Sequence, residues 1–157
     1  MSFLGGIATL KGGIEGIVLG PRWLYFAALT GSGLYRIEIE DLLDTSLTDE
    51  QLADKAQRIA RKPLSSGLTM DVNGNVYVAD VEHNAIFIVG SDRKARTLLR
   101  STKLRWPEAV TFGPDGWLYV ADSAMSELLL QPREYIQAQA PFKIYRFRPG
   151  YEGVPGR

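Results

Sequence analysis

The sequence contains no cysteine, a single histidine and no long apolar run, and its 18 basic and 18 acidic residues leave a formal net charge of zero. The lack of cysteine excludes disulfides, and one histidine without a cysteine supplies neither a zinc constellation nor a Ser-His-Asp triad within one chain. The balanced charge gives no basic excess for nucleic acid, and no segment is apolar for long enough to span a membrane. We therefore expect neither nucleic-acid nor membrane partners.

At 157 residues, of which 45% are hydrophobic, the chain is long enough for one domain with a packed core. Residues 1–6 have neither the basic region nor the apolar run of a signal peptide. The expected location is the cytoplasm, or outside the cell if the chain is a fragment of a longer precursor.

One pattern occurs in successive copies along the chain. In each copy a short apolar segment leads, through a turn, into a second apolar segment that contains tyrosine, as at residues 23–27, 76–80 and 117–122. The copies lie roughly 40 to 50 residues apart, which is the spacing of propeller blades. The repeat predicts an all-β propeller whose blades are four-stranded sheets.

The repeat divides the chain into three four-stranded blades, which would form half of a six-bladed ring as a single domain. We place the blades approximately at residues 14–62, 63–103 and 104–149, with a spare outer strand at 5–10 and a tail at 150–157. The last blade lacks a fourth strand of its own, and open sheet edges invite aggregation. Two explanations stay open: a second copy completes a homodimeric ring with its spare strand, or a missing N-terminal half of a longer chain closes it.

Short motifs predict the local structure of the blades. Asn73-Gly74 and Asp115-Gly116 are typical of two-residue hairpin turns. The segment 48–51 has capping-box spacing, so one short helix is expected from Asp49 to about Ala56. The insert at residues 123–141 is expected to be a long loop that covers one end of the ring or acts as a lid.

Several short motifs form an ordered set along almost the whole chain from Glu15. They are residues 34–37, 65–71, 74–77, 82–86, 105–108, 115–120 and 144–147. This set resembles the second half of the Yellow and major royal jelly protein family. The resemblance implies a six-bladed propeller similar in architecture to regucalcin and the gluconolactonases. It also implies that the N-terminal half of the family's usual chain is absent here.

Three polar residues occupy the same place in the repeat, immediately before the inner strand: Glu15, Ser66 and Glu108. Propeller symmetry predicts that all three point toward the central axis. In a dimer they would supply four carboxylates and two hydroxyls, a set of oxygen ligands suited to Ca²⁺ or another divalent cation. Glu15 and Glu108 are therefore candidate metal ligands, similar to the acidic ligands ahead of the inner strands in regucalcin-like relatives. The alternative is that both glutamates bond to backbone amides or to a nearby cation and only tie adjacent blades, the candidate cations being Lys11, Lys103 and Arg105.

Candidate ligand-binding residues collect at the same end of the predicted ring. Trp106 would stack against a flat ligand at the channel mouth, and Ser66 would line the axis. Asp80 and Asp122 end equivalent strands and are interpreted first as turn formers, second as pocket walls. The remaining candidates, His83 and Asn84, follow the first of these strands.

Three functions remain open at this stage. The first is a non-catalytic propeller that binds a small molecule at the channel mouth, as the Yellow-like resemblance implies. The second is a metal-dependent hydrolase of lactones or related esters, in which a cation polarises the carbonyl group and activates water. The third is a ring-shaped scaffold that binds proteins. The sequence favours small-molecule binding.

Overall fold

The computed structural model of the chain describes residues 2–3, 6–7 and 12–154. At the N-terminus, strands β1 (Ser2–Phe3) and β2 (Gly6–Ile7) pair antiparallel. The spare outer strand predicted at residues 5–10 therefore lies mostly outside the described residues, and its described part forms this small hairpin. Among the described residues, no helix is long and apolar enough to cross a membrane.

The first antiparallel sheet has the strand order β3-β4-β5-β6. Its strands are β3 (Ile14–Leu19), β4 (Trp23–Ala28), β5 (Gly33–Glu38) and, after helices α1 (Ile39–Leu43) and α2 (Asp49–Lys55), β6 (Gln57–Arg61). The capping box of α2 is confirmed, since the Thr48 hydroxyl accepts from the Gln51 backbone N–H while the Gln51 side chain accepts from the Thr48 N–H.

The second sheet also has four strands, paired in the order β10-β9-β8-β7, and the third has three, in the order β11-β12-β13. The second contains β7 (Ser65–Met70), β8 (Val76–Asp80), β9 (Ala85–Val89) and β10 (Ala95–Arg100), and the third contains β11 (Pro107–Phe112), β12 (Leu118–Asp122) and, after α3 (Met125–Leu128) and α4 (Arg133–Ala138), β13 (Lys143–Phe147). The all-β class is confirmed. As predicted, the third sheet lacks a fourth strand within the described part of the chain.

Two local predictions were wrong. The helix predicted from Asp49 is confirmed as α2, but it is not the single inserted helix, because α1 precedes it and the insert at 123–141 contains α3 and α4. Helix α4 begins directly after Pro132 and consists largely of good helix formers. The glycine turns are also longer than two residues. The Asp71 N–H donates to the Asn75 carbonyl and the Gly74 N–H to the Asp71 carbonyl, so three residues form the loop and Gly74 alone takes a positive φ, 79°.

The second sheet is covered on both faces, and this places the core between the sheets. Val76 and Val78 of β8 pack in an apolar cluster shared with the first sheet. The alternate residues Tyr77 and Ala79 pack in another cluster, shared with the third sheet. Because successive side chains of a strand point to opposite faces, one strand contributes to both interfaces. The sheets are therefore stacked face to face in chain order.

Two glycines let the inner strands approach closely. A Cβ added to Gly16 of β3 would lie 2.7 Å from the Ser66 carbonyl oxygen of β7. A Cβ added to Gly67 of β7 would lie 3.0 Å from the Glu108 carbonyl oxygen of β11. Since these glycines hold the same place in the repeat, β3, β7 and β11 lie side by side at the inner edges of their sheets.

The outer faces of the first and third sheets are only partly covered by the described residues. On the outer face of the first sheet, a row of cross-strand neighbours consists of Ile17, Phe26 and Tyr35. On the outer face of the third sheet, the corresponding row consists of Ala109, Ala121 and Ile144. Ile17 is 56% exposed and Ile144 is 74% exposed. These two apolar faces lie at opposite ends of the stack.

Candidate functional site

A β-bulge occurs at the same place in all three inner strands. The pairing of β3 with β4 skips Glu15, and the pairing of β11 with β12 skips Glu108. In β7 the register shifts between Ser65 and Leu68, which is where Ser66 lies. A bulge leaves one residue out of the ladder and redirects its side chain, and bulges often lie next to active sites. The fold therefore singles out the three residues that the repeat predicts for the axis.

Each glutamate in this group accepts a hydrogen bond from a serine. The Ser66 hydroxyl donates to Glu15 Oε1 over 3.0 Å, and the Ser123 hydroxyl donates to Glu108 Oε2 over 2.8 Å. Neither glutamate forms an ion pair with another described residue, so the alternative in which Arg105 or Lys103 ties it down does not occur there. Lys11, the third cation of that alternative, lies outside the described residues.

A buried lysine that sequence analysis missed lies beside these residues. Lys62 is only 6% exposed, and its ammonium group donates to the Pro63 carbonyl over 3.0 Å. Burial lowers the pKa of Lys62 to about 8, although the negative charges of Asp80 and Glu15 oppose the shift. The repeat contained one signal for this burial. Lys62 lies four residues before Ser66, and the apolar Leu104, which is buried, lies four residues before Glu108, so the two residues hold equivalent places.

Asp80 is buried and forms the turn that follows β8. Its Oδ1 accepts from the backbone N–H groups of Glu82 and His83, and its Oδ2 lies 3.0 Å from Nδ1 of His83. Burial raises the pKa of Asp80, and these hydrogen bonds oppose the rise. Asn84 adopts a positive φ of 55°, and its carbonyl accepts from the Ser101 N–H. The turn-forming interpretation of Asp80 is therefore confirmed, while a ligand role for His83 and Asn84 stays a prediction.

Asp122 holds the equivalent position at the end of β12 but makes different contacts, so the turn-forming interpretation does not extend to it. Its Oδ1 accepts from the Trp106 backbone N–H over 2.8 Å, and its Oδ2 accepts from Arg105 Nε over 3.0 Å. Asp122 thereby fixes the segment that leads into β11. Trp106 is only 5% exposed, so most of its ring packs within the protein and little of it is open to a flat ligand. Its stacking role stays a prediction.

The predicted divalent-cation site is not complete within the described part of one chain. No group of three or more histidine, aspartate or glutamate side chains there is arranged to hold a metal ion. Glu15, Ser66 and Glu108 supply oxygen atoms of the kind that Ca²⁺ prefers, but Ca²⁺ takes about 6–8 such ligands. Further ligands would have to come from outside these residues.

Comparison with known proteins places the chain in a family and a fold. The family of major royal jelly proteins matches residues 2–145. No curated protein matches the sequence significantly. Among solved structures, the chain is similar to a gluconolactonase from Xanthomonas campestris, with 17% identity, a TM-score of 0.63, and coverage of 92% of this chain and 46% of that chain.

Two further structures support the same fold. The chain is 20% identical to a calcium-binding regucalcin from Agrobacterium tumefaciens, with a TM-score of 0.60. The alignment covers 92% of this chain and 47% of the regucalcin chain. The chain is 17% identical to a luciferin-regenerating enzyme, with a TM-score of 0.61. The alignment covers 91% of this chain and 47% of the enzyme chain. At these identities the likeness shows a β-propeller fold alone, and the chain spans about half the length of each. With its sequence match over residues 2–145, the chain belongs to the major royal jelly protein family.

Proposed function

We propose that the chain supplies three blades of a six-bladed propeller that binds a small molecule at the axial end of β3, β7 and β11. The observation that carries the proposal is the repeated bulge, which releases Glu15, Ser66 and Glu108 from their ladders at the same place in three adjacent strands. Three polar side chains converging at one end of a ring form the kind of concave site that small ligands occupy.

The partner that completes this ring is a second copy of the chain. The exposed apolar rows on the first and third sheets need cover, and one copy spans 46% of the gluconolactonase chain, so two copies supply a full ring. The small side chains of Ala109 and Ala121 on one copy leave room for the stacked rings of Phe26 and Tyr35 on the other. The N-terminal hairpin of each copy would then pair with the open edge of β13 in the other.

Light scattering coupled to gel filtration tests this assembly. The expected mass is twice that of the 17.4 kDa chain. Ala109→Arg places a charge in the proposed interface and should give monomers, because an unpaired charge is costly to bury. Leu43→Arg, on the exposed surface of α1, is the matched control and should stay dimeric. A wild-type monomer at micromolar concentration would contradict the second-copy assignment.

The binding site itself is tested with a panel of sugar acids, lactones and aromatic amines, scored by thermal stabilisation. A true axial ligand should stabilise the wild type and lose its effect in Glu15→Gln and Glu108→Gln. Glu40→Gln is the control, since Glu40 lies on α1. This helix follows the C-terminal end of β5, at the opposite end of the sheet from Glu15. If every stabilising compound acts equally on all variants, the axial site is refuted.

A metal-dependent lactone hydrolase is the second candidate, favoured by the oxygen-only axial group and by the likeness to a gluconolactonase and a calcium-binding regucalcin. Glu15 and Glu108 would hold a divalent cation that polarises a lactone carbonyl. Calcium should then raise the melting temperature relative to chelator, and Glu15→Gln should remove that difference. Hydrolysis of gluconolactone that requires added metal would support the hydrolase, and silence with every metal would exclude it.

A further inference from the structure

A second candidate site is an open groove between the outer strands of the first and second sheets. The groove has a volume of about 280 Å³ and is lined by Arg61, Lys62, His83, Phe87, Thr97 and Arg100, together with Pro63 and Asp80. Most of these residues lie on or beside the outer strands β6, β9 and β10. The groove is therefore built from a single chain and from two sheets that are packed against each other.

The residues that line the groove include three cations and one carboxylate. Neither Arg61 nor Arg100 forms an ion pair or a side-chain hydrogen bond with another described residue. The one carboxylate in the lining, Asp80, already accepts from two backbone N–H groups and lies against His83. Two guanidinium groups and one ammonium group thus surround a space that has a single, occupied carboxylate.

Lys62 is the least expected of these cations. It is nine-tenths buried, yet among the described residues its three N–H donors make one hydrogen bond, to the Pro63 carbonyl. A buried ammonium group with unused donors is costly. The equivalent place holds Lys11 in the first repeat and the buried Leu104 in the third, so the fold also accepts an apolar residue there. Asp80 and Glu15 offset part of this charge, and a bound anion would satisfy the unused donors.

We propose that this groove binds a small organic anion, a carboxylate or a phosphate ester, that carries an apolar or aromatic group. The anionic end would accept hydrogen bonds from Lys62 and from the planar guanidinium groups of Arg61 or Arg100, which suit both anions. The apolar end would pack against Phe87, whose ring lines the groove. The ligand differs in class from a divalent cation and needs no second copy.

Phenyl phosphate and benzoate are suitable probes, with benzyl alcohol as the neutral analogue. Binding is measured by isothermal titration and by amide chemical-shift changes at constant ionic strength. We expect both anions to bind and to shift the amides of Lys62, His83 and Arg100, and the alcohol to bind at least tenfold more weakly. Benzoate binding without phenyl phosphate binding would assign the site to carboxylates, and the reverse to phosphate esters.

Lys62→Leu is the decisive variant, because it installs the residue that the chain itself uses at the equivalent position. It should fold and should bind the anions about tenfold or more weakly, since a charge-assisted hydrogen bond is lost. Arg100→Gln, on the exposed strand β10, tests the same site should Lys62→Leu fail to fold. Lys94→Met is the control: its side chain is 88% exposed and lies outside the groove, so its affinity should match the wild type.

Three results would overturn the inference. Equal affinity in Lys62→Leu and wild type would show that the buried ammonium group takes no part. Equal binding of benzyl alcohol would show that the groove selects only the ring. Shifts at Lys103 and Lys143, which line a basic pocket between the β10–β11 connection and the start of β13, with none at Lys62 would place the anion elsewhere. A monomeric chain would not affect any of these measurements, so this inference and the proposed ring fail separately.

Discussion

The close contact of the inner strands predicts a large effect for a single added methyl group. Gly16→Ala would place a Cβ atom 2.7 Å from the Ser66 carbonyl oxygen and 2.6 Å from Leu68 Cγ, and contacts under 3.0 Å force the neighbours to move. The backbone oxygen cannot rotate away, so β3 and β7 must separate. Overpacking of this kind costs about 1–3 kcal/mol.

The control variant lies three residues earlier in the same segment. A Cβ atom added to Gly13 meets nothing within 4 Å, and Gly13 does not need a positive φ. Gly13→Ala should therefore be neutral or slightly stabilising, because it restricts only the unfolded chain, by about 0.4–1 kcal/mol. The two variants make the same chemical change and differ only in the space around it.

Thermal and urea unfolding measure the difference. For a chain of this size each kcal/mol changes the melting temperature by about 2–4 °C, so Gly16→Ala should melt roughly 2–12 °C below the wild type. Gly13→Ala should melt at or slightly above it. Equal melting temperatures for the two variants would refute the close packing of β3 against β7, and with it the placement of Glu15 beside Ser66.

Three further predictions follow from particular contacts. Asp122→Ala leaves the buried Trp106 N–H without its acceptor and should cost about 1–3 kcal/mol in urea unfolding, whereas breaking the exposed pair of Asp92 and Lys94 should leave stability nearly unchanged. Burial lowers the pKa of Lys62 to about 8, below its unfolded value, so the unfolded chain binds more protons above pH 8. Wild-type stability should therefore rise relative to Lys62→Leu between pH 8 and 10; a parallel pH dependence would contradict this. Thr48→Ala should lose about 1 kcal/mol, since it removes half of the capping box of α2.

The strand framework was predictable because it depends on local pattern. Alternating apolar residues and glycine turns predicted the strands from β3 to β13, including the outer strands β6 and β10, and the third sheet without a fourth strand. The turn type was not predictable from the dipeptides alone. Asn73-Gly74 and Asp115-Gly116 suit both a two-residue loop and the longer loop observed, and strand register decides between them.

The candidate site was predictable only in part. Repeat symmetry identified Glu15, Ser66 and Glu108, and the bulges at all three positions agree with a shared special role. The serine partners of the two glutamates could not be predicted, because they depend on which hydroxyl lies within reach after folding. The burial of Trp106 was not predictable either, because its exposed fraction of 5% depends on the segments that pack around it after folding.

The sequence by itself determined the repeat, the strand order and the three residues predicted for the axis, since strand period and repeat spacing are properties of the chain alone. Only the tertiary structure decided the burial of Lys62, the shift of its pKa and the residues that line each groove. Lys62 reads as an ordinary polar residue before a proline, and it becomes a buried cation only where β6 and β7 bring it beside Asp80 and Glu15. Burial and proximity shift a pKa, and both exist only after distant segments have packed together.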